Sequence, residues 1–92
     1  MPKVVVYTTS SCPYCFAAKR LLSQKNVRFE EISVDGDPAG RAKMSERAGG
    51  RRTVPQIFIG GRHIGGCDDL YAMEEAGRLD ALLAASQQAS SI

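Results

Sequence analysis

Residues 3–22 read KVVVYTTSSCPYCFAAKRLL, and this stretch decides the fold because a strand pattern turns into a helix pattern within it. Its first six residues are mostly β-branched or aromatic, which predicts a buried strand. After Pro13, a residue suited to the first turn of a helix, apolar residues recur at helical spacing. Cys12 and Cys15 therefore lie where a strand runs into the start of a helix.

The rest of the chain continues the alternation of strand and helix patterns. Further strands are predicted at residues 27–34, 54–59 and 62–64, helices at 39–48 and 68–76, and a last amphipathic turn or two at 79–85. A helix joins the first two strands, which makes them parallel, and the Gly60-Gly61 pair is a two-residue hairpin turn. The pattern predicts an α/β fold of order β-α-β-α-β-β-α, with one domain over residues 1–86 and a polar, frayed tail over residues 87–92.

Composition indicates a small single domain. The 92 residues carry 43% hydrophobic and 24% charged side chains, which is ordinary for a globular domain and excludes a disordered or fibrous chain. The net charge of +2 is too small to favour a nucleic-acid partner. No apolar run approaches the roughly 20 residues of a membrane span, and the first residues lack a signal-peptide pattern. We therefore expect a cytoplasmic monomer without nucleic-acid or membrane partners.

Cys12 and Cys15 carry the strongest chemical signal. Three cysteines are too few for a disulfide scaffold, and their number is odd. At the start of a helix, free N–H groups and the helix dipole favour a thiolate at Cys12, the form that attacks disulfides. Cys15, one turn further on, is expected to be more buried, less reactive and able to attack a mixed disulfide at Cys12. Half of a zinc site and a structural cysteine pair stay open as alternatives, although zinc needs two more ligands and only Cys67 and His63 remain.

Two later segments carry secondary signals. Residues 53–55, Thr-Val-Pro, open the third strand; a trans proline is the ordinary interpretation, and a cis bond that turns the Val54 backbone toward Cys12 is the functional one. Residues 65–69, Gly-Gly-Cys-Asp-Asp, precede a helix whose free N–H groups can hold a carboxylate. The plainer interpretation of that segment is a strand-to-helix turn capped by Asp68.

Basic residues precede the third strand. Five Arg or Lys residues against one Glu give residues 41–52 a local charge of +4. Such a run is usually a solvated face, and here it can also attract an anionic substrate. His63 follows the hairpin turn without an identifiable partner and is interpreted as a surface or strand residue.

Three motifs together resemble those of the dithiol glutaredoxins, in particular the small bacterial ones. They are CPYC at residues 12–15, TVPQIFI at residues 53–59 and GGCDDL at residues 65–70, and the resemblance covers roughly residues 3–85. It implies a thioredoxin-like fold, with a mixed four-stranded sheet flanked by helices. It also implies glutathione as the reductant, and no metal.

The resemblance implies a role for each site residue. Cys12 would be the nucleophile and Cys15 the resolving thiol in the reduction of protein disulfides and glutathione mixed disulfides; ribonucleotide reductase is a family-level partner. Apart from the resemblance, the position of Cys67 at a helix start would make it a candidate for glutathionylation or an intermolecular disulfide if it were exposed. Glutathione would be held by seven residues: Tyr14, Thr53, Val54, a cis Pro55, Gly66, Cys67 and Asp68.

The chain departs from the family pattern at Thr9, where relatives often carry Lys. We hypothesise that Arg41, Arg51 or Arg52 binds the glycyl carboxylate of glutathione instead. A thioredoxin is a close alternative, disfavoured because the chain has no Trp and no CGPC motif. Iron–sulfur carriers of the family usually have CGFS, so the CPYC motif argues against that class. A pure interaction module would leave the two thiols without chemistry.

Overall fold

The computed structural model describes residues 3–90, with side chains up to residue 84. Within these residues, four strands and four helices follow one another in the order β1 (Val4–Thr8), α1 (Pro13–Gln24), β2 (Glu30–Ser33), α2 (Pro38–Arg47), β3 (Gln56–Ile59), β4 (Arg62–Gly65), α3 (Cys67–Glu75) and α4 (Leu79–Ser90). The predicted alternation is confirmed, and the amphipathic turn or two predicted at residues 79–85 is a helix of its own, α4.

The four strands form one mixed sheet in the order β2-β1-β3-β4. β1 runs parallel to β2 and antiparallel to β3, which in turn pairs antiparallel with β4. Gly60 and Gly61 both have positive φ, 59° and 81°, as a two-residue turn between right-twisted strands requires. The predicted mixed four-stranded sheet and its hairpin are therefore confirmed.

Every residue of β1 and β3 is buried, because helices cover both faces of the sheet. Side chains alternate along a strand, so Val4 and Val6 enter one core with α1, α3 and α4. Val5 and Tyr7 enter a second core with Met44 of α2. These two cores fix the end of β1, and with it the loop that leads into α1.

Two strands begin later than predicted, for different reasons. β2 begins at Glu30 rather than at residue 27, because the Val27 N–H bonds the Leu22 carbonyl at 3.1 Å and so belongs to the end of α1. β3 begins at Gln56 rather than at residue 54, since Pro55 has no N–H to donate to a neighbouring strand.

The last helix is longer than predicted. α4 extends to Ser90 rather than to residue 85, because the Ala, Leu and Gln residues of this segment are good helix formers. Residues 87–90 of the predicted tail are therefore helical, and residues 91–92 lie outside the described residues. The division of the chain after residue 86 stays a prediction. Over the part of the chain that the structure describes, no helix has the length and apolar character needed to cross a membrane.

Candidate active site

Cys12 caps the first helix with its own sulfur. Its backbone is extended, with φ −101° and ψ 107°, and α1 begins at the next residue. Sγ accepts a hydrogen bond from the Cys15 N–H at 3.2 Å, and the thiol donates to the Val54 carbonyl at 3.6 Å. Cys12 Sγ therefore lies at a helix start, where free N–H groups and the helix dipole favour negative charge.

Cys15 is the more deeply buried of the two thiols, as its place inside the helix predicts. Its exposed fraction is 1%, against 9% for Cys12. Burial, followed by its hydrogen bond with the Cys12 thiol, raises the pKa of Cys15 to about 12. Cys15 therefore stays protonated near neutral pH in the reduced protein, and Cys12 is the less deeply buried of the two thiols.

Residues from all three motifs line an open groove of about 130 Å³ beside Cys12. The structure thus brings together the seven residues predicted to hold glutathione, and it adds Arg51 and Asp69 to them. The complete lining is Tyr14, Arg51, Thr53, Val54, Pro55, Gly66, Cys67, Asp68 and Asp69.

The loop before β3 forms one wall of this groove. The Val54–Pro55 peptide bond is cis, as the functional interpretation of this segment required. Gln56 braces the loop, because its side-chain nitrogen donates to the Thr53 carbonyl at 3.0 Å and to the Thr53 hydroxyl at 3.2 Å. The other end of the Gln56 amide lies 2.7 Å from His63 Nε2. His63, for which the sequence offered no partner, therefore supports the loop from β4.

The start of α3 forms the opposite wall, and Asp69 caps it. Asp69 Oδ2 accepts hydrogen bonds from the Gly66 N–H at 2.8 Å and from Arg51 Nη1 at 3.0 Å. These two contacts, the Gly66 N–H first, lower the pKa of Asp69. The prediction that Asp68 caps this turn is therefore wrong. The helix begins at Cys67, so the residue that reaches back to the turn is Asp69, and Asp68 faces the groove.

Cys67 is a buried thiol at the first position of α3. Its exposed fraction is 8%, and burial, followed by the charge of Asp68 and the nearby Cys12, raises its pKa. Cys12, Cys15 and Cys67 are all free thiols. The sequence made Cys67 a candidate for modification only if exposed, and that condition is not met. Among the described residues, no group of three or more His, Cys, Asp or Glu side chains is arranged to hold a metal ion.

The basic residues of the predicted anion-attracting run separate in space. Arg51 lines the groove, whereas the Arg41 side chain donates to the Arg52 carbonyl at 3.0 Å. Arg47 is exposed and donates to the Tyr7 hydroxyl at 3.1 Å, which places its side chain on the α2 side of the sheet. The groove consequently carries one arginine on its rim together with the two carboxylates at the start of α3.

A mixed four-stranded sheet between helices, with a Cys-x-x-Cys pair at the start of its first helix, defines a dithiol protein of the thioredoxin-like fold. The glutaredoxin family model matches residues 4–64. The chain belongs to the glutaredoxin family, whose members are thiol–disulfide oxidoreductases, and the resemblance seen in the sequence is confirmed.

Individual relatives match over nearly the whole chain. The chain is 60% identical over 85 residues to a glutaredoxin of Pseudomonas aeruginosa, a match that covers 92% of this chain and 100% of the relative. It is 57% identical over 83 residues to glutaredoxin 3 of Escherichia coli, which covers 90% of this chain and 99% of the relative. The crystal structure of a buckwheat glutaredoxin–glutathione complex superposes with a TM-score of 0.83 at 36% identity, over 91% of this chain and 78% of that one.

Proposed function

We propose that the protein is a glutathione-dependent oxidoreductase that reduces protein disulfides and glutathione mixed disulfides through Cys12 and Cys15. The observation that carries this proposal is the position of Cys12 Sγ at the start of α1, 3.6 Å from the carbonyl of Val54 in the groove wall. A substrate sulfur bound in the groove would lie next to the attacking sulfur. Family membership supports the chemistry, and the glutathione complex of the buckwheat relative supports the ligand.

Glutathione has two carboxylates and one ammonium group, and the groove offers partners for its γ-glutamyl end and for its peptide backbone. The free N–H groups at the start of α3 suit the γ-glutamyl carboxylate, and the Asp68 carboxylate suits the ammonium group beside it. The Val54 backbone suits the extended peptide, with which it can pair as a strand does. Of the three candidate arginines, Arg41, Arg51 and Arg52, only Arg51 lines the groove. Its pairing with Asp69 puts it at the start of α3, so we assign it to the γ-glutamyl carboxylate rather than to the glycyl one.

In the first step the Cys12 thiolate attacks a disulfide of the substrate. A bond forms between Cys12 Sγ and one substrate sulfur, the substrate S–S bond breaks, and the other sulfur leaves as a thiolate that takes a proton from water. When the substrate is a glutathione mixed disulfide, glutathione stays on Cys12 and the second thiol departs. Another glutathione thiolate then attacks the bound glutathione sulfur, which releases glutathione disulfide and the Cys12 thiolate. This cycle does not need Cys15.

A protein disulfide requires the second thiol. After the first step the substrate protein is held covalently on Cys12, and Cys15 attacks Cys12 Sγ to release it. The product is a Cys12–Cys15 disulfide, which two glutathione molecules reduce, with glutathione disulfide as the oxidised product. Burial, followed by the hydrogen bond with Cys12, raises the pKa of Cys15 in the reduced protein, and Cys15 must lose its proton before this attack because only the thiolate is a nucleophile.

The setting of the proposed reaction is the cytoplasm, where the glutathione pool keeps most thiols reduced. We propose that the protein acts there as a monomer. Its partners would be glutathione and disulfide-containing or glutathionylated proteins, with ribonucleotide reductase a candidate at the level of the family.

The test is glutathione-dependent reduction of a small glutathione mixed disulfide, coupled to NADPH oxidation through glutathione reductase. Wild type, Cys12→Ser and Cys15→Ser are compared with this substrate and with a protein disulfide. We expect Cys12→Ser to be inactive with both substrates and Cys15→Ser to keep activity only with the mixed disulfide. A wild type without glutathione-dependent activity would contradict the proposal, and absorbance and metal content would then test the iron–sulfur alternative.

A further inference from the structure

A second network lies on the β2 side of α1, whereas the groove lies on the β3 side. Glu31 Oε2 accepts a hydrogen bond from the Thr8 hydroxyl at 2.8 Å and another from the Lys19 ammonium at 2.9 Å. Lys19 first and Thr8 second lower the pKa of Glu31, so the carboxylate is charged near neutral pH. The Lys19 ammonium also lies 4.9 Å from the centre of the Phe16 ring. Three elements, β1, β2 and α1, thus fix the position of one cation.

Lys19 and Cys15 are neighbours on the surface of α1. Lys19 follows Cys15 by four residues on α1, and residues with that spacing are neighbours on a helix, about 5–6 Å apart at Cβ. Burial is the largest influence on the pKa of Cys15 and raises it, and the charge of Lys19 opposes this rise as the smallest of the influences. The other groups that act on Cys15 are the Cys12 thiol at the helix start and the Thr9 backbone after β1. Once Cys12 is in a mixed disulfide, its sulfur can no longer be charged. Of the groups that act on Cys15, Lys19 is then the one with a charge.

We propose that Lys19, held in place by Glu31 and Thr8, is a positioning residue for the second thiol and speeds the attack of Cys15 on a mixed disulfide at Cys12. Cys15 gives its proton to water, and its thiolate, stabilised by the ammonium group, bonds to Cys12 Sγ. The bond between Cys12 Sγ and the substrate sulfur breaks, and that sulfur leaves with the electron pair. The two cysteines are oxidised to a disulfide and the substrate sulfur is reduced. The inference rests on the dithiol role assigned above.

The two attacks can be timed separately with dithionitrobenzoate (DTNB), an aromatic disulfide that releases a coloured thiolate at each step. The first release reports the attack of Cys12 on the reagent, and the second reports the attack of Cys15 on the mixed disulfide. Every variant carries Cys67→Ser, so that these two thiols give the whole signal. The reaction contains no glutathione, and stopped-flow absorbance is recorded across a pH range.

We expect Lys19→Met to slow the second release by about three- to tenfold near neutral pH, the size that one charge at this separation supplies in a medium between protein and water. Its pH profile should move to higher pH, while the first release changes by less than about twofold. Lys19→Arg, which keeps the charge, should restore the second release. Thr8→Val removes only the anchoring hydroxyl and should slow it to a smaller extent. A pair as exposed as Lys19 and Glu31 adds little stability, so these variants are expected to fold.

The matched control is Lys3→Met, which removes the same charge at the opposite end of β1. We expect it to leave both releases unchanged. An unchanged second release in Lys19→Met would overturn the inference. So would equal slowing of both releases, since Lys19 would then act only by attracting the anionic reagent. A wild type that gives both releases but lacks glutathione-dependent activity would contradict the proposed function and leave this inference intact.

Discussion

Gly65 is the position at which a single methyl group should disturb both the fold and the groove. It is the last residue of β4 and has a φ of +120°, where residues with a side chain are strained. A Cβ at this position would overlap with Asp69 Oδ2 and would lie 2.7 Å from Asp69 Cγ and 2.9 Å from Arg51 Nη1. Gly65→Ala therefore strains the backbone and displaces the carboxylate that caps α3.

Together these effects should lower the free energy of unfolding by about 2–4 kcal/mol. Backbone strain of this kind costs roughly 1–3 kcal/mol, and loss of a helix cap costs about 1 kcal/mol. Loss of the ion pair between Arg51 and Asp69 adds little stability cost, because both side chains are nearly half exposed. It does release the guanidinium from the groove wall, so the KM for glutathione should rise by about three- to tenfold, the equivalent of one weakened charged contact.

Urea unfolding followed by circular dichroism measures the first effect, and steady-state kinetics at varied glutathione measure the second. Gly49→Ala is the matched control, since Gly49 has a φ of +66° with nothing within 4 Å of an added Cβ. It should cost only about 1–2 kcal/mol of backbone strain and leave the KM unchanged. Equal losses of stability in the two variants, or an unchanged KM in Gly65→Ala, would refute the assignment of Asp69 as the cap that organises this wall.

Arg51 and Asp69 support two further predictions. Arg51→Ala should raise the KM for glutathione by about three- to tenfold. The control is Arg52→Ala, outside the groove lining, which should change the KM by less than about twofold. Equal effects of the two substitutions in steady-state kinetics would contradict the assignment of Arg51. Asp69→Asn should lower the free energy of unfolding by about 0.5–1 kcal/mol near neutral pH, a modest value because the Asp69 side chain is 45% exposed. Because its folded-state pKa lies below the ordinary value of 3.8, this stabilisation is present above pH 3.8 and is lost as the pH falls through the folded-state pKa. Urea unfolding as a function of pH should therefore show wild type and variant converging in acid, and a constant difference would refute the linkage.

Patterns of a few adjacent residues were enough to predict much of the fold. The change from strand pattern to helix pattern at Cys12 and the Gly60-Gly61 turn each involve a few adjacent residues, and the structure has both where expected. The family resemblance predicted that residues from three motifs hold glutathione, and all seven of these residues line the groove. The parallel pairing of β1 and β2 also followed from local reasoning, because the connecting segment is a helix.

The features that the sequence missed depend on contacts between distant segments. Whether Asp68 or Asp69 caps α3 depends on where the helix begins, and it begins at Cys67, one residue earlier than predicted. Which arginine reaches the groove depends on how the loop before β3 packs against α3, and charge counting treats all of them alike. The partner of His63 is Gln56, on the neighbouring strand and seven residues away. No periodicity within one element encodes any of these contacts.

The network of Lys19, Glu31 and Thr8 is the clearest example of this limit. In the sequence Lys19 is one of several polar residues on an amphipathic helix, and Glu31 is one of two adjacent glutamates in a short strand. Only the parallel pairing of β1 with β2, in which Thr8 is opposite Ser33 and Val6 is opposite Glu31, brings the carboxylate within reach of both donors.

The central claim is that Cys12, rather than Cys67, is the sulfur that attacks disulfides, and peptide mass mapping after reaction with glutathione disulfide tests it most directly. The Cys15→Ser variant is used, because without the second thiol the mixed disulfide on the first is trapped. We predict one glutathione per protein, carried by the peptide that contains Cys12, since Cys12 Sγ accepts the Cys15 N–H at the start of α1, whereas desolvation and the charge of Asp68 raise the pKa of Cys67. Glutathione on Cys67 with Cys12 unmodified, or no adduct on either thiol, would contradict the account.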